Sequence, residues 1–217
     1  MPAVSLQQGG PMKHQRGVTI TELMIVVIIA GLLAALAAPN LSDFVKNNAR
    51  TTQVNSMVTA LNFARGQAVT RNARVSLCRS TAFADCDGID GGNFEDGWIV
   101  FTDDYVRGVV DGPVDDEDEV LRVFQPDVGT SVTFIGSNGA IGAIGGLSYE
   151  NTGLGWDLNP PAGVTAVSAN TVIRYCDDRG ASQARGIAIT FTGYPRLTRD
   201  SDGDGVDDIG GVELVCP

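Results

Sequence analysis

From Leu23 to Ala38 the chain reads LMIVVIIAGLLAALAA, an unbroken apolar run without a charge. With the less apolar VTIT ahead of Glu22 it makes a span of about 20 residues, enough as a helix to cross a ~30 Å hydrocarbon core. Lys13 and Arg16 precede it, so the positive-inside rule keeps the short N-terminus cytoplasmic and sends the rest outward. Glu22 stands at the head of this run. An ionised carboxylate in lipid costs at least ~2.5 kcal/mol, and neither a plain secretory signal nor a simple anchor has a use for it. An intramembrane acid asks for a partner, and the nearest candidate is a freed α-amino group.

The segment Arg16-Gly17-Val18-Thr19-Ile20-Thr21-Glu22-Leu23 resembles the signal of type IV prepilins and type II secretion pseudopilins. The resemblance implies that a prepilin peptidase cuts after Gly17 and methylates the new N-terminus, Val18. It also implies that Glu22, fifth in the mature chain, pairs with a neighbouring subunit's N-terminal amine during assembly. Pro39, which ends the apolar run, matches the family's helix-bending proline. Val18 stands where the family usually has phenylalanine, and Ile20-Thr21 where it has a leucine-isoleucine pair, but such peptidases read mainly the glycine. Residues 1–17 are then a leader, with 1–11 a mis-assigned start, because MKHQRG alone is a normal short leader. The competing reading is a secretory signal cut near Ala35-Leu36-Ala37, against which Glu22 and Pro39 both speak.

Composition narrows the function further. The 217 residues carry 15 Lys+Arg against 26 Asp+Glu, a formal net charge of −11, and a field of that sign repels nucleic acid and anionic lipid. The one histidine, His14, falls in the leader, so the mature chain has no Ser-His or Cys-His pair and no imidazole zinc ligand. No carboxylate pair sits in a recognisable catalytic context, and an enzyme is not expected. Cys78, Cys86, Cys176 and Cys216 are too spread for a CxxC motif, and their even number suits two disulfides in an oxidising compartment. Three connectivities are open. The preferred one joins Cys78 to Cys86 across a short Asp/Gly loop and Cys176 to Cys216, tying the C-terminal end to a strand; the alternative is four reduced thiols.

After Pro39 the apolar residues Leu41, Phe44, Val45, Val54, Met57, Val58, Leu61, Ala68 and Val69 recur at three- and four-residue steps. They predict one long helix, apolar over 18–39 and amphipathic over 40–73, bent at Pro39 and ending near Asn72-Ala73. Strand signals follow at 74–79, 97–102, 120–124, 131–135, 171–176, 186–192 and 212–216, with Gly/Asp/Asn/Pro-rich loops at 85–96 and 136–163. The expected fold is α+β: a helical spine with an antiparallel β-sheet domain, 74–217, packed on its C-terminal half. Leu61-Asn62-Phe63-Ala64-Arg65, Val75-Ser76-Leu77-Cys78 and Gly97-Trp98-Ile99-Val100-Phe101 together resemble the GspH/FimT group of minor pseudopilins. So do Cys176-Asp177-Asp178-Arg179-Gly180, Ile189-Thr190-Phe191-Thr192-Gly193 and the ending Leu214-Val215-Cys216-Pro217. Trp98 and Phe101 are expected in the core.

The resemblance implies a single-pass bacterial inner-membrane subunit with a periplasmic head, whose partners are the peptidase and other minor and major pilins or pseudopilins. It leaves open a type IV pilus initiating or tip complex and a type II secretion pseudopilus. Three further features lie outside that frame. The run 111–119, DGPVDDEDE, reads as a solvated hairpin tip. In the run 200–208, DSDGDGVDD, Asp200, Asp202, Asp204 and Asp208 could aim oxygens at one point, as calcium requires. Gly211 in the twelfth position makes it no EF-hand; it is closer to thrombospondin-type loops, and a polar turn is the bland alternative. The FimT side of the family includes members whose Gly-Arg-x-Arg motif binds DNA during uptake, so a DNA-capturing minor pilin in natural transformation is the third reading. This chain has Gly193-Tyr194-Pro195-Arg196-Leu197-Thr198-Arg199 there, and the motif fails at Tyr194. Arg174, Arg179, Arg185, Arg196 and Arg199 still cluster in sequence. Arg174, Arg185, Arg196 and Arg199 with Tyr194 could offer phosphate contacts and a stacking ring, or the arginines could pair with Asp177, Asp178 and Asp200.

Overall fold

The computed structural model describes residues 17–84, 86–87, 94, 96–103, 118–125, 131–135, 146–158, 165–166, 171–190, 192–209 and 212–216. Its contacts divide the chain into two units, Met1–Val45 and Lys46–Pro217. The helix α1, Ile20–Arg71, contributes to both and runs through Pro39 without a stop. Within the first unit the named apolar side chains from Val18 to Leu36, and then Leu41, Phe44 and Val45, are all more than half exposed, between 52% and 78%. No single helix among the described residues is long and apolar enough to cross a membrane. Ile20–Leu36 and Leu41–Arg71, taken as a pair broken between them, pass that test by length and composition.

The C-terminal end of α1 follows local chemistry. Asn72 adopts φ 55 in the left-handed region, and the Ala73 N–H returns to Ala68 O at 3.2 Å, the 6→1 bond of a Schellman cap. Asparagine tolerates this backbone better than most non-glycine residues.

Twelve strands follow among the described residues: β1 Val75–Arg79, β2 Trp98–Thr102, β3 Val120–Phe124, β4 Ser131–Ile135, β5 Gly146–Tyr149, β6 Gly155–Leu158, β7 Thr165–Ala166, β8 Thr171–Cys176, β9 Arg185–Ile189, β10 Pro195–Leu197, β11 Asp208–Ile209 and β12 Val212–Glu213. They form a six-stranded sheet ordered β3-β2-β1-β5-β6-β7, a four-stranded sheet ordered β10-β9-β8-β4, and the pair β11-β12. Every pairing is antiparallel. The fold is the α+β architecture expected.

One stripe of α1, Val54, Met57, Ala60, Leu61, Ala64 and Ala68, is buried against alternate residues of both larger sheets: Val75, Leu77, Trp98, Val100, Leu147, Tyr149, Ile173, Tyr175, Ile187 and Ile189. The alanines recur every four residues and keep the helix surface low where the strands cross it. The opposite face of β1 and β2 is also covered, with Cys78, Ile99 and Phe101 in a second cluster. Trp98 and Phe101 are therefore both core residues, on opposite faces of one strand.

Three sequence expectations change. The segment 136–163 is not all loop, because it contains β5 and β6. A Cβ on Gly146 would stand 2.2 Å from Leu77 O, so this glycine permits a close strand contact and is no loop signal. The strand expected over 186–192 ends at Ile189, where Gly193, at φ 80, closes a turn with its N–H on Thr190 O at 2.7 Å. The strand expected over 212–216 is only Val212–Glu213. Residues 111–117 of the acidic run lie outside the described residues; β2 and β3 on either side of it pair as a hairpin.

Candidate functional site

The chain enters α1 through Thr19. Its Oγ1 accepts the Glu22 N–H at 3.3 Å, and its carbonyl accepts the Leu23 N–H at 3.1 Å. Thr19 is thus the N-cap and Glu22 the third helical residue, where a carboxylate also meets the positive end of the helix dipole. Gly17 and Val18 precede the cap as exposed, non-helical backbone. A peptidase needs such backbone.

The second unit ties α1 to the loop after β8 through charged groups. Lys46 Nζ reaches both oxygens of Asp178, at 2.8 and 2.6 Å. Arg50 donates to Gln183 O and, at 3.0 Å, to Asn47 Oδ1, which also accepts Arg179 Nη1 at 3.0 Å. Arg179 in turn holds the carboxylate of Asp177. Burial of Asp177 pushes its pKa up, but the Arg179 hydrogen bonds and the charges of Arg179 and Arg50 outweigh it, and the net shift is downward. Arg50 is shifted down by its own burial and then by the Arg185 and Arg179 charges. Sequence reading offered the pairing of an arginine with Asp177 but missed the helix side of this clamp, Lys46 and Arg50.

Both disulfides are the preferred pairs: Cys78 with Cys86, Cα atoms 5.7 Å apart, and Cys176 with Cys216, 5.8 Å apart. In the acidic loop, carboxylate oxygens of Asp200, Asp202 and Asp208 lie within 4.8 Å of one another. Asp204 is not in that group. The loop also supports itself: Asp200 accepts the Gly203 and Gly205 N–H groups at 2.6 and 3.0 Å, and Asp208 accepts the Ser201 N–H at 2.9 Å. Gly203 and Gly205, at φ 84 and 92, give the turns that aim these carboxylates.

The arginines do not form the patch that their spacing suggested. Arg174 is 2% exposed, sealed beneath the C-terminal segment with its Nη1 on Val215 O, and burial shifts its pKa down. It is therefore not a surface residue for DNA. Arg185 pairs with Asp207 at 3.3 Å. Arg196, Arg199 and Tyr194 are exposed, but one face of the Tyr194 ring is taken by Arg65, 3.9 Å from its centroid. Of the acids proposed as arginine partners, Asp177 pairs with Arg179, whereas Asp178 pairs with Lys46.

Residues 53–193, more than half of the chain, match the family described as Type II transport protein GspH. The chain belongs to the GspH family. In this member, residues 12–38 also match the prokaryotic N-terminal methylation motif, a segment that holds Gly17, Val18 and Glu22 and implies prepilin peptidase processing and pilin-type assembly partners. Family and fold are those of structural pilins. Two fimbrial proteins of Pseudomonas aeruginosa are each 45% identical over 58 residues, 27% of this GspH member and 37% of the relative; the chain thus spans little more than a third of the length of those relatives. Two crystal structures of the type IV minor pilin FimU of Pseudomonas aeruginosa PAO1 also align. One has 12% identity and a TM-score of 0.43 over 69% of this chain and 92% of FimU. The other has 13% and 0.46 over 72% and 92%.

Proposed function

We propose that this chain is a minor pilin, cut after Gly17 and methylated on Val18, that serves in the initiating or tip complex of a type IV pilus. The apolar half of α1 lies in the inner membrane before assembly and then passes into the helical core of the filament, with the head in the periplasm. The observation that carries this reading is Glu22. It is a carboxylate at the head of a helix whose named apolar side chains, Ile20 to Leu36, are all more than half exposed. Exposed apolar surface of that extent needs lipid or neighbouring subunits to cover it, and an acid within it needs a cation. The methylated amine of a neighbour's Val18 supplies one.

Likeness to fimbrial proteins favours the pilus, while the family description favours a type II secretion pseudopilus as the second reading. Deleting the gene separates the two: loss of surface filaments supports the first, and exoproteins retained in the periplasm support the second. Mass spectrometry of the chain from membranes should find methylated Val18 at the N-terminus. A start at Ala38 or Pro39 would mean an ordinary secretory signal and end the pilin reading. Glu22→Ala should be inserted and cleaved normally yet fail to enter filaments; normal incorporation removes the pairing role.

A further inference from the structure

Ile173, Tyr175, Ile187 and Ile189 face α1 in the main core, so Val172, Arg174 and Cys176 of β8 and Gly186 of β9 face the other way. Leu214–Cys216 lies across that outer face. Leu214 packs with Val172, Cys176 and Ala184, and a Cβ on Gly186 would come within 3.1 Å of Leu214 Cδ1, so the glycine makes the seat. Beneath this segment the Arg174 guanidinium meets the Val215 carbonyl through Nη1, while its buried Nε has no hydrogen-bond partner among the described residues. A desolvated guanidinium with one backbone acceptor is better solvated by water than by this site. Among the described residues the segment is held by the Leu214 side chain, the Leu214 N–H on Asp207 O at 2.9 Å, the Arg174 Nη1 bond to Val215 O and the link from Cys216 to Cys176. Val215 is 56% exposed.

We propose that Leu214–Cys216 is a strap latched by the Cys176–Cys216 disulfide, and that its reduction lifts the strap and uncovers Arg174. The reductant is a dithiol. Its thiolate attacks Sγ of half-buried Cys216, the S–S bond breaks, and the electron pair leaves on Cys176 Sγ, which takes a proton. The second thiol of the reductant then displaces Cys216 from the mixed disulfide, leaving two protein thiols and an oxidised reductant. The opened strap presents Arg174 on the same sheet face as Arg196, whose strand partner is Ala188. The Cys78–Cys86 link behaves differently, because its loop is also held by Asp87: its carboxylate accepts the Thr81 N–H and Oγ1 at 2.6 and 3.0 Å, and its N–H donates to Arg79 O at 3.0 Å.

The test is labelling of the full chain in detergent with phenylglyoxal, an arginine-directed dicarbonyl, mapped by mass spectrometry before and after dithiothreitol. Exposed Arg196 and buried Arg50, 6% exposed, serve as internal standards. Reduction should raise Arg174 labelling from that of Arg50 to that of Arg196, with Arg50 unchanged. Cys216→Ser should do the same without reductant, and Cys78→Ser/Cys86→Ser should not. Continued protection of Arg174 when thiol titration finds both cysteines free overturns the latch. So does labelling of Arg50 together with Arg174, since the domain as a whole has then unfolded.

Discussion

Arg65 on α1 stacks 3.9 Å from the centroid of the Tyr194 ring while its Nε donates to Gly153 O at 3.1 Å. One side chain thereby holds two turns: Glu150–Leu154, which joins β5 to β6, and Thr190–Tyr194, which joins β9 to β10. The turns also touch directly, for Tyr149 Oη donates to Gly193 O at 3.1 Å, and a Cβ on Gly193 would stand 2.6 Å from Gly153 O. The helix and both larger sheets therefore meet at this point.

Arg65→Ala removes a cation–π contact and a charge-assisted hydrogen bond together, and should destabilise the fold by about 2 kcal/mol. Arg65→Lys should recover part of the ring contact but not the fixed bond to Gly153. Thermal melts of the full chain in detergent measure both, and a loss below ~0.5 kcal/mol for the alanine variant would show that the turns hold without the helix.

Stability should depend on pH through two groups of opposite sign. Asp177, whose folded pKa lies below its ordinary 3.8, contributes stability that is present above that value and lost as pH falls through the folded one. Glu213 is shifted up from 4.5, first by the charge of Asp204 and its hydrogen bond, and then by Asp202 and Asp208. Its contribution is complete below 4.5 and lost as pH rises through the folded value. Asp177→Asn should flatten the acid limb, and Glu213→Gln should flatten the decline above 4.5. Melts from pH 3 to 7 read both effects, and unchanged limbs contradict the assignments.

We propose the acidic loop as a calcium site to be tested, because carboxylate oxygens of Asp200, Asp202 and Asp208 lie within 4.8 Å of one another. At a Kd of ~10⁻⁴–10⁻³ M, common in extracellular modules, 10 mM Ca²⁺ should stabilise by about 1.4–2.7 kcal/mol and raise Tm by several degrees. Asp200→Asn/Asp202→Asn should lose the response. Equal shifts with Ca²⁺ and with sodium chloride of matched ionic strength would leave a solvated turn.

DNA capture should be weak or absent. Arg174 is sealed, Arg185 is paired, and the whole chain carries −11, so Arg196 and Arg199 act against the global field. Gel shifts at low and moderate salt should show little binding. A strong salt-sensitive shift lost in Arg196→Ala/Arg199→Ala would restore the patch.

What the sequence determined by itself was whatever local spacing encodes. Three- and four-residue steps picked out Val54, Met57, Leu61 and Ala68 of the buried stripe but also the exposed Leu41, Phe44, Val45 and Val69, and missed Ala60 and Ala64. Asn72 marked the helix end within a residue of Arg71. The apolar runs of β1, β2 and β8 placed core strands, and the short Asp/Gly loop and the C-terminal position of Cys216 suggested both disulfides. Tertiary structure decided what depends on residues far apart in the chain. Gly146 looks like a loop residue until Leu77 O, 69 positions earlier, approaches it. Arg174 looks like a surface cation until the C-terminal segment folds over it. Glycine and arginine take opposite roles in different surroundings: the first serves open turns or close contacts, the second solvent or buried carbonyls. Their own neighbours in sequence do not say which surroundings the fold will bring.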